Sequence, residues 1–279
     1  MKACELFRAP KKVKIRDEDA GATPLRDADA ALKDLGKDAL KQRDHERTAV
    51  LAAEIATLQE MLYAQRRHKV LVVLQGMDTS GKDGTVSALF KDINPMGLRA
   101  VAFKAPTPVE LAHDFLWRVH QHVPVWGEIV IFNRSHYEDV LITLVQQMID
   151  EKEGKRRYQH INDFERMLTE TGTVIIKIFL HISKDEQRKR LQARIDDPNK
   201  QWKFDPNDVT QRLRWDAYQR AYEAAISATD CDSAPWYIVP ADSKPQRDLA
   251  IASLLLEILQ GLKLSYPAPN PALAGLKIE

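Results

Sequence analysis

"VLVVLQGMDTSGKDGTVSAL", residues 70–89, joins an apolar, β-branched run to a glycine-rich turn and then to a helical pattern. The turn has the frame Gly76-x4-Gly81-Lys82, which is typical of a phosphate-binding loop of the Walker A type. Backbone N–H groups in such a loop and the dipole of the helix after it point at an anion, and the lysine supplies a mobile positive charge. Because the frame lies between a predicted strand and a predicted helix, we predict that it binds phosphate groups.

Two carboxylates lie in this loop, which is unusual for a site that holds phosphate. Asp83 stands where such loops normally have a serine or threonine for Mg²⁺, and Asp78 lies inside the loop. A phosphate-rich site needs divalent cations, and hard cations take carboxylate oxygens. We therefore predict that Asp78 binds Mg²⁺, directly or through water, or orients an attacking phosphate oxygen. The alternatives are a turn-capping role for Asp78 and an ordinary first-turn helix acid at Asp83.

Composition restricts the class of protein. The chain has 279 residues, 44% of them apolar, and a formal net charge of +1. These values predict an ordinary globular protein and argue against a general nucleic-acid binder, which would carry an overall basic field. Cys4 and Cys231 lie far apart and form no metal-ligand spacing, which suits a reducing compartment. Since no apolar run resembles a signal peptide or a membrane span, we predict a cytoplasmic protein without membrane contact.

Strand and helix patterns alternate along most of the chain. The predicted strands are HKVLVVLQG, RAVAF, EIVIFN, TVIIKIFLHI and WYIVP. Between them lie helical patterns, including single helices predicted over residues 108–122 and 209–226. Such alternation predicts an α/β fold with a parallel sheet that helices cover on both faces, which gives three α/β/α layers.

The N-terminal part of the chain precedes this core. From residue 27 to residue 67 apolar residues recur at spacings near three and four, with Gly36 as the division between two helices. We expect a helical arm that packs on the core or on a partner subunit, with a separate binding role as the alternative. The predicted division is residues 1–67 as N-terminal extension and helical arm, 68–263 as core with a lid at about 184–206, and 264–279 as C-terminal tail.

Polar side chains follow the second and third predicted strands. Arg134 comes at the carboxyl edge of the sheet, where ligands bind, and its forked guanidinium suits a phosphate. Asn133 occupies the place at which many such loops have a metal-binding aspartate, and Glu138 and Asp139 are candidates to restore that carboxylate. Lys104 is a candidate contact to the phosphate of a second substrate. The alternatives are a structural ion pair for Arg134, solvent-facing helix acids at Glu138 and Asp139, and a plain surface lysine at Lys104.

A run of basic residues follows the fourth strand. Its members are Lys184, Arg188, Lys189, Arg190, Arg194, Lys200 and Lys203. Such a run is usually a solvated helix face, but this one lies where a nucleotide kinase has its lid. A basic lid closes over phosphates, and a long anionic substrate needs an extended track of positive charge, as nucleic-acid backbones do. We therefore predict a phosphate-binding lid.

With these residues in place, the chain resembles the polyphosphate kinase 2 family from about Glu54 to Leu259. The motifs that carry the resemblance are GMDTSGKDG, NPMGLRAVAFKAPTPVELAHDFLWR, FNRSHYEDVL and RIDDPNKQWKF. The resemblance implies a P-loop kinase fold, a three-layer α/β/α structure with a parallel sheet, a helical lid and the N-terminal helical arm. It also implies Mg²⁺-dependent phosphate transfer between inorganic polyphosphate and nucleotides, with Mn²⁺ as a substitute cofactor, in a homodimer or homotetramer.

The resemblance further implies roles by position. The catalytic candidates are Asp78, Lys82 and Arg134. The polyphosphate-binding candidates are Gly81, Lys82, Arg134, Arg190, Arg194 and Lys203. The nucleotide-binding candidates are Asp78, Lys104, Asn133 and Glu138, and the metal candidates are Asp78 and Glu138. Many members have aspartate at position 133 and asparagine at position 138; this departure resembles the class III branch, which phosphorylates nucleoside mono- and diphosphates.

The predicted activity is reversible, direct in-line transfer of phosphate from polyphosphate to AMP and ADP, with GMP and GDP as further acceptors. Two alternatives stay open. One is an ATP-dependent P-loop kinase of a small metabolite, which the many lid cations disfavour. The other is a P-loop regulatory protein that signals by conformation, which Asp78 beside Lys82 disfavours.

Overall fold

The computed structural model describes residues 2–32 and 34–278. Within them the chain forms a parallel sheet with helices on both faces. The strands are β1 (Lys69–Gln75), β2 (Leu98–Ala102), β3 (Ile129–Asn133), β4 (Thr173–His181) and β5 (Trp236–Pro240). Their order across the sheet is β2-β3-β1-β4-β5, and each neighbouring pair is parallel. The predicted α/β fold class is confirmed.

The helices occupy the intervening segments. Those before the third strand are α1 (Ala3–Phe7), α2 (Pro24–Asp27), α3 (Lys37–Gln65), α4 (Lys82–Phe90), α5 (Pro108–Leu111) and α6 (Trp117–His120). Those after it are α7 (Glu138–Val145), α8 (Glu151–Glu170), α9 (Lys184–Asp196), α10 (Pro206–Leu213), α11 (Trp215–Thr229) and α12 (Lys244–Gly261). No helix among the described residues has the length and apolar character needed to cross a bilayer.

Strand β1 lies at the centre of the sheet because both of its faces are apolar. Val70, Val72 and Leu74 pack in a core with α3 and α12, while Leu71 and Val73 pack in a second core with α7, α8 and α11. After β1 the chain builds one side of the sheet with β2 and β3, and then crosses to add β4 and β5 on the other side. The loop after β1 therefore lies at the point where the strand order reverses, which is where α/β sheets bind ligands.

The predicted helical arm is present, with a correction at its start. Helix α3 packs along α12 and buries Leu51, Ile55 and Leu62, so the arm covers the core of its own chain. Gly36 is its N-cap, as the predicted division implies. The helix predicted before Gly36 is wrong over the described residues. The chain there leaves α2 for a 3₁₀ turn, in which the Asp29 carboxylate accepts the N–H of Ala31 and competes with helix formation.

The single helix predicted over residues 108–122 is also wrong, because the segment forms α5 and α6 with an interruption between them. The Asp114 carboxylate accepts the N–H groups of Leu116 and Trp117 at 2.9 and 3.0 Å. A side chain that takes these donors competes with the hydrogen bonds of a continuous helix, so α5 ends before this point and α6 begins after it.

The helix predicted over residues 209–226 is divided at Arg214, between α10 and α11. The N–H of Arg214 bonds to the carbonyl of Gln211, three residues back, and its guanidinium donates to the carbonyl of Val145 at 3.0 Å. This contact fixes a bend between the two helices, and α11 packs on α7 and α8 in the core.

Candidate active site

The phosphate-binding loop has the backbone conformation that its glycines permit. Gly76 and Gly81 have φ angles of 152° and 106°, and Thr79 has a φ of 63°. A side chain on Gly76 would place its Cβ 2.7 Å from the carbonyl oxygen of Leu180 in β4. Glycine at this position therefore lets the loop turn tightly against the sheet before α4 begins.

A cavity of about 670 Å³ lies at the phosphate-binding loop. The ends of β2 and β3, residues of the segment 190–208 and the start of α12 form the rest of its wall. Nine basic and four acidic residues contribute to its wall. Of the residues predicted for the site, the wall contains Asp78, Gly81, Lys82, Lys104, Asn133, Arg134, Arg190, Arg194 and Lys203. The tertiary structure therefore brings together candidates that were inferred from four separate segments. Glu138 lies beside this wall, next to the Gln75 amide, which is 3.0 Å from its carboxylate.

Lys82 is buried at the base of the cavity. Its ammonium donates to the carbonyls of Gly76 and Met77 at 2.7 and 3.3 Å. Burial above all, and then the neighbouring Arg134, lower the pKa of Lys82 to about 8, although Asp78 and other carboxylates oppose the shift. Since an anion would favour the charged form, this lysine is suited to hold phosphate.

The pKa of Lys82 predicts a pH dependence. A lysine with a lowered pKa loses its charge as the pH rises through about 8. We expect kcat/KM for a phosphate-chain substrate, which reports the free enzyme, to fall with a midpoint near that pH. An ordinary lysine would stay charged to about pH 10. A pH profile of wild type and of Lys82→Arg, whose residual activity should lack this decline, checks the assignment; a wild-type profile that stays flat to about pH 10 contradicts it.

Asp78 contacts the arginine that follows β3. An oxygen of its carboxylate lies 2.5 Å from a terminal nitrogen of Arg134. Arg134 has a φ of 61°, and its N–H bonds to the carbonyl of Leu74 at 3.0 Å, which fixes the turn at the strand end. Within the described residues the Asp78 carboxylate accepts no backbone N–H, so the turn-capping alternative is not supported. The ion pair instead places a carboxylate and a guanidinium together above the loop.

The two unusual residues of the sequence contact each other. The Asn133 side-chain amide donates to the Asp83 carboxylate, across the 50 residues that separate them. Asp83 therefore has a partner at the strand end and is not simply a solvent-facing helix acid. This contact also explains why an amide suits position 133, since an aspartate there would repel Asp83.

The two acids at the start of α7 differ in their surroundings. Burial raises the pKa of Glu138, although Arg134 and Lys82 oppose the shift. Asp139 pairs with the buried Arg118 at 3.5 Å, and Arg118 also donates to the backbone carbonyl of Lys104 at 2.9 Å. Asp139 thus fixes the segment after β2, while Glu138 lies next to the charged groups of the cavity.

The lid arginines fall into two groups. Arg194 donates to the carbonyl of Lys203 at 3.1 Å and lies 3.5 Å from the Asp208 carboxylate, and all three residues line the cavity. Arg190 points instead to the protein, and its guanidinium bonds to five acceptors of the chain. Arg194 and Lys203 are therefore placed to meet a ligand, whereas polyphosphate binding by Arg190 stays a prediction that this geometry does not favour.

Four charged wall residues were missed by the sequence reasoning, namely Asp205, Asp208, Lys244 and Arg247. Lys244 and Arg247 lie in the first turn of α12, where the helix dipole disfavours cations. Cations at the start of a helix that follows the carboxyl end of a strand are a sequence signal for an anion site, and this signal was available. Asp208 carried none, because an acid near a helix start is ordinary. Burial and the nearby Asp78 carboxylate raise the pKa of Asp208 to about 6.

A glycine-rich loop with a buried lysine, placed where the strand order reverses and facing a basic lid, defines a phosphoryl-transfer protein of the P-loop kinase class. Residues 38–266 match the family Polyphosphate kinase 2 (PPK2). The chain belongs to this family.

Known proteins resemble the chain over most of its length. An AMP/ADP-polyphosphate phosphotransferase of Meiothermus ruber is 53% identical over 239 residues, which is 86% of this chain and 90% of that protein. An ADP-polyphosphate phosphotransferase of Rhodopseudomonas palustris is 44% identical over 83% of this chain and 84% of its own. The crystal structure of Polyphosphate Kinase 2 from Arthrobacter aurescens superposes with a TM-score of 0.89 at 42% identity, covering 97% of this chain and 93% of that one.

Proposed function

We propose that the protein transfers phosphate from inorganic polyphosphate to nucleoside mono- and diphosphates, converting AMP to ADP and ADP to ATP. The observation that carries this proposal is the cavity, in which nine basic residues outnumber four acidic ones around a phosphate-binding loop; without Arg190 and Arg247, which bond to the loop, seven remain. A single triphosphate needs fewer cations than this, whereas a phosphate chain needs an extended track. The names of the relatives from Meiothermus ruber and Rhodopseudomonas palustris support the same donor.

In the proposed mechanism the polyphosphate lies along the loop and the lid. Lys82, Arg194 and Lys203 hold the chain, and Arg134 neutralises charge on the phosphoryl group that moves. The nucleotide enters from the side of Lys104, so that its terminal phosphate reaches the region of Asp78. An oxygen of that phosphate attacks the end of the chain in line, and the shortened polyphosphate leaves. Since transfer is direct, catalysis depends on positioning and on charge neutralisation.

Asp78 fits a role in holding Mg²⁺ together with substrate phosphates. Within the described residues no three acidic, histidine or cysteine side chains form a ready metal cluster. Mg²⁺ in phosphoryl-transfer sites commonly takes one or two carboxylates and fills the rest of its shell with phosphate oxygens and water. Asp78, with Glu138 as a second candidate, matches this pattern, and the cation when bound would neutralise developing charge on the transferred group. Mn²⁺ is proposed as a substitute.

We propose a broad acceptor range, with GMP and GDP as well as the adenine nucleotides. The proposal is supported by Asn133 and Glu138, which follow the class III-like pattern, and by the name of the Meiothermus ruber relative, which includes both AMP and ADP. The homodimer or homotetramer and the cytoplasmic location also remain proposals. The apolar face of α3 is buried against α12, so the arm itself gives no argument for an oligomer. Light scattering of the purified protein measures its state.

The direct test is purified protein with Mg²⁺, long-chain polyphosphate and AMP, with ADP and ATP followed over time. We expect ADP to appear first and ATP to follow, because the first product is the second acceptor. A Lys82→Met preparation purified in the same way controls for contaminating kinases.

Other outcomes separate the alternatives. If only ADP is phosphorylated, polyphosphate remains the donor and the broad acceptor range is wrong. If neither nucleotide is phosphorylated, and ATP gives no polyphosphate in the reverse assay, polyphosphate is not the donor. ATP-dependent phosphorylation of a small metabolite would then identify a kinase of the other type, and slow hydrolysis alone would identify a regulatory protein.

A further inference from the structure

The carbonyl groups of the phosphate-binding loop all meet side-chain donors. Across residues 76–80 each backbone carbonyl accepts a hydrogen bond from a side chain. The pairs are Lys82 to Gly76 and Met77 at 2.7 and 3.3 Å, Gln187 to Asp78 at 3.2 Å, Arg190 to Thr79 and Ser80 at 3.0 and 3.4 Å, and Arg247 to Ser80 at 3.3 Å. In a trans peptide the N–H points opposite to the C=O. The N–H groups of these peptide units are therefore turned away from the donors.

Arg190 connects the lid helix α9 to this loop. It is only 9% exposed. Beyond the loop carbonyls, it donates to the carbonyls of Ala241 and Asp242, both at 2.8 Å, and to the Glu186 carboxylate at 2.9 Å. A guanidinium has five N–H groups, and these contacts match their number. The side chain thus joins the loop, the end of β5 and its own helix.

Arg247 reaches the same loop from α12 and is 2% exposed. Its other N–H groups donate to the Asp248 carboxylate at 2.9 and 2.7 Å, and that carboxylate accepts the hydroxyl of Thr85 in α4 at 3.3 Å. A Cβ on Gly81 would lie 1.7 Å from a terminal nitrogen of Arg247. The absence of a side chain at position 81 is therefore what lets the guanidinium lie directly against the loop.

We propose that Arg190 and Arg247 are positioning residues that hold the phosphate-binding loop in its anion-binding conformation by donating to the carbonyls of Thr79 and Ser80. They line the cavity but act on the substrate through the loop, whereas Arg194 bonds to Lys203 and Asp208 and to no loop carbonyl. The first turns of α9 are consequently part of the loop's support, and the part of the lid that meets the polyphosphate begins beyond Arg190. This inference rests on the proposed phosphate-binding function of the loop.

The test compares Arg190→Lys and Arg247→Lys with the control Arg166→Lys, at an exposed arginine of α8 that pairs with Asp163 and Glu170 and does not line the cavity. A lysine keeps the charge but cannot donate to several fixed acceptors at once, as the planar fork does. For Arg190→Lys and Arg247→Lys we expect kcat to fall by about a hundredfold, the loss typical of a misplaced reacting group, with KM for polyphosphate changed less than about threefold. For Arg166→Lys we expect kcat to stay within about twofold of wild type, because exposed ion pairs contribute little.

Hydrogen–deuterium exchange of residues 76–84 without substrate is the second readout. We expect faster exchange in this segment for Arg190→Lys and Arg247→Lys, and no change for Arg166→Lys. Activity retained by lysine at positions 190 and 247, a raised KM in place of a lowered kcat, or unchanged exchange would overturn the proposal. If both variants unfold, as judged by circular dichroism, the two arginines serve global stability and the proposal is also wrong.

The two readouts separate this inference from the proposed function. An inactive wild-type protein would refute the function, whereas the exchange of the loop depends only on the folded structure. In that case inorganic triphosphate serves as the probe. Its protection of the loop from exchange should be weaker in the lysine variants at positions 190 and 247 than in wild type.

Discussion

Replacing Asp78 by asparagine is expected to lower kcat for AMP phosphorylation by on the order of 10²- to 10³-fold, the effect of removing one preorganised group that stabilises transferring charge. The amide keeps the size of the side chain but loses the charge that pairs with Arg134 at 2.5 Å and the carboxylate proposed to hold Mg²⁺. Steady-state kinetics with saturating polyphosphate measures the loss. Because the pair is partly exposed, its contribution to folding is at most about 1 kcal/mol, and the thermal unfolding midpoint should change little.

Asp83→Asn is the matched control for this prediction. Asp83 lies five residues further along the same loop region, also lines the cavity, and accepts a hydrogen bond from Asn133. An asparagine there still accepts that bond. We therefore expect kcat to fall by less than about tenfold, which is the upper limit for complete loss of a single hydrogen bond. Equal losses for the two variants would show that overall negative charge, and not the position of Asp78, is what matters.

Replacing Lys177 by methionine is expected to destabilise the fold by about 3–5 kcal/mol. Lys177 is fully buried in β4 and donates to the Glu165 carboxylate at 2.5 Å, the Thr229 carbonyl at 2.7 Å and the Tyr137 hydroxyl at 3.1 Å. Methionine fills the space but leaves the Glu165 carboxylate buried without its cation. Urea unfolding measures the decrease in the free energy of unfolding, and an unchanged m value shows that the change is in stability alone.

Arg166→Met is the control variant, because it removes a cation that is exposed to solvent. Arg166 is 62% exposed and pairs with Asp163 and Glu170 at 3.0 and 3.5 Å on the outer face of α8. Exposed pairs contribute about 0–1 kcal/mol, so this variant should unfold close to wild type. The double variant Lys177→Met/Glu165→Leu should recover much of the lost stability, because it removes both charges together. If Lys177→Met alone lowers the free energy of unfolding by less than about 1 kcal/mol, the Lys177–Glu165 pair does not stabilise the fold as predicted.

The buried Lys177–Glu165 pair also supports the active site, because Glu165 contacts the residues that follow Arg134. Burial would raise the pKa of Glu165, but the Lys177 ammonium and His136 hold that pKa below its usual value. Glu165 in turn contacts the His136 ring at 3.2 Å and accepts the Tyr137 hydroxyl at 2.8 Å, so charge in the core fixes the turn that follows Arg134.

The sequence by itself determined the layers of the fold and the phosphate-binding loop. An apolar run with both faces buried identified β1 as a central parallel strand, and the glycine frame after it fixed the loop, because these patterns act over a few residues. The ends of the strands were therefore also predictable. They identified Lys104 and Arg134 as candidates, because each residue follows a strand at the edge of the sheet where ligands bind. The boundaries of helices were not, since Asp114 and Arg214 interrupt them through individual side-chain contacts.

Only the tertiary structure decided which charged residues bond to the phosphate-binding loop. Arg190 and Arg194 lie one helical turn apart and look equivalent in sequence, yet the first bonds to the loop carbonyls and the second to Lys203 and Asp208. Arg247 reaches Ser80 across 167 positions of sequence, and Lys177 reaches Thr229 across 52. Such pairings depend on the order in which the strands assemble, and a buried cation is tolerated only where that assembly supplies its acceptors.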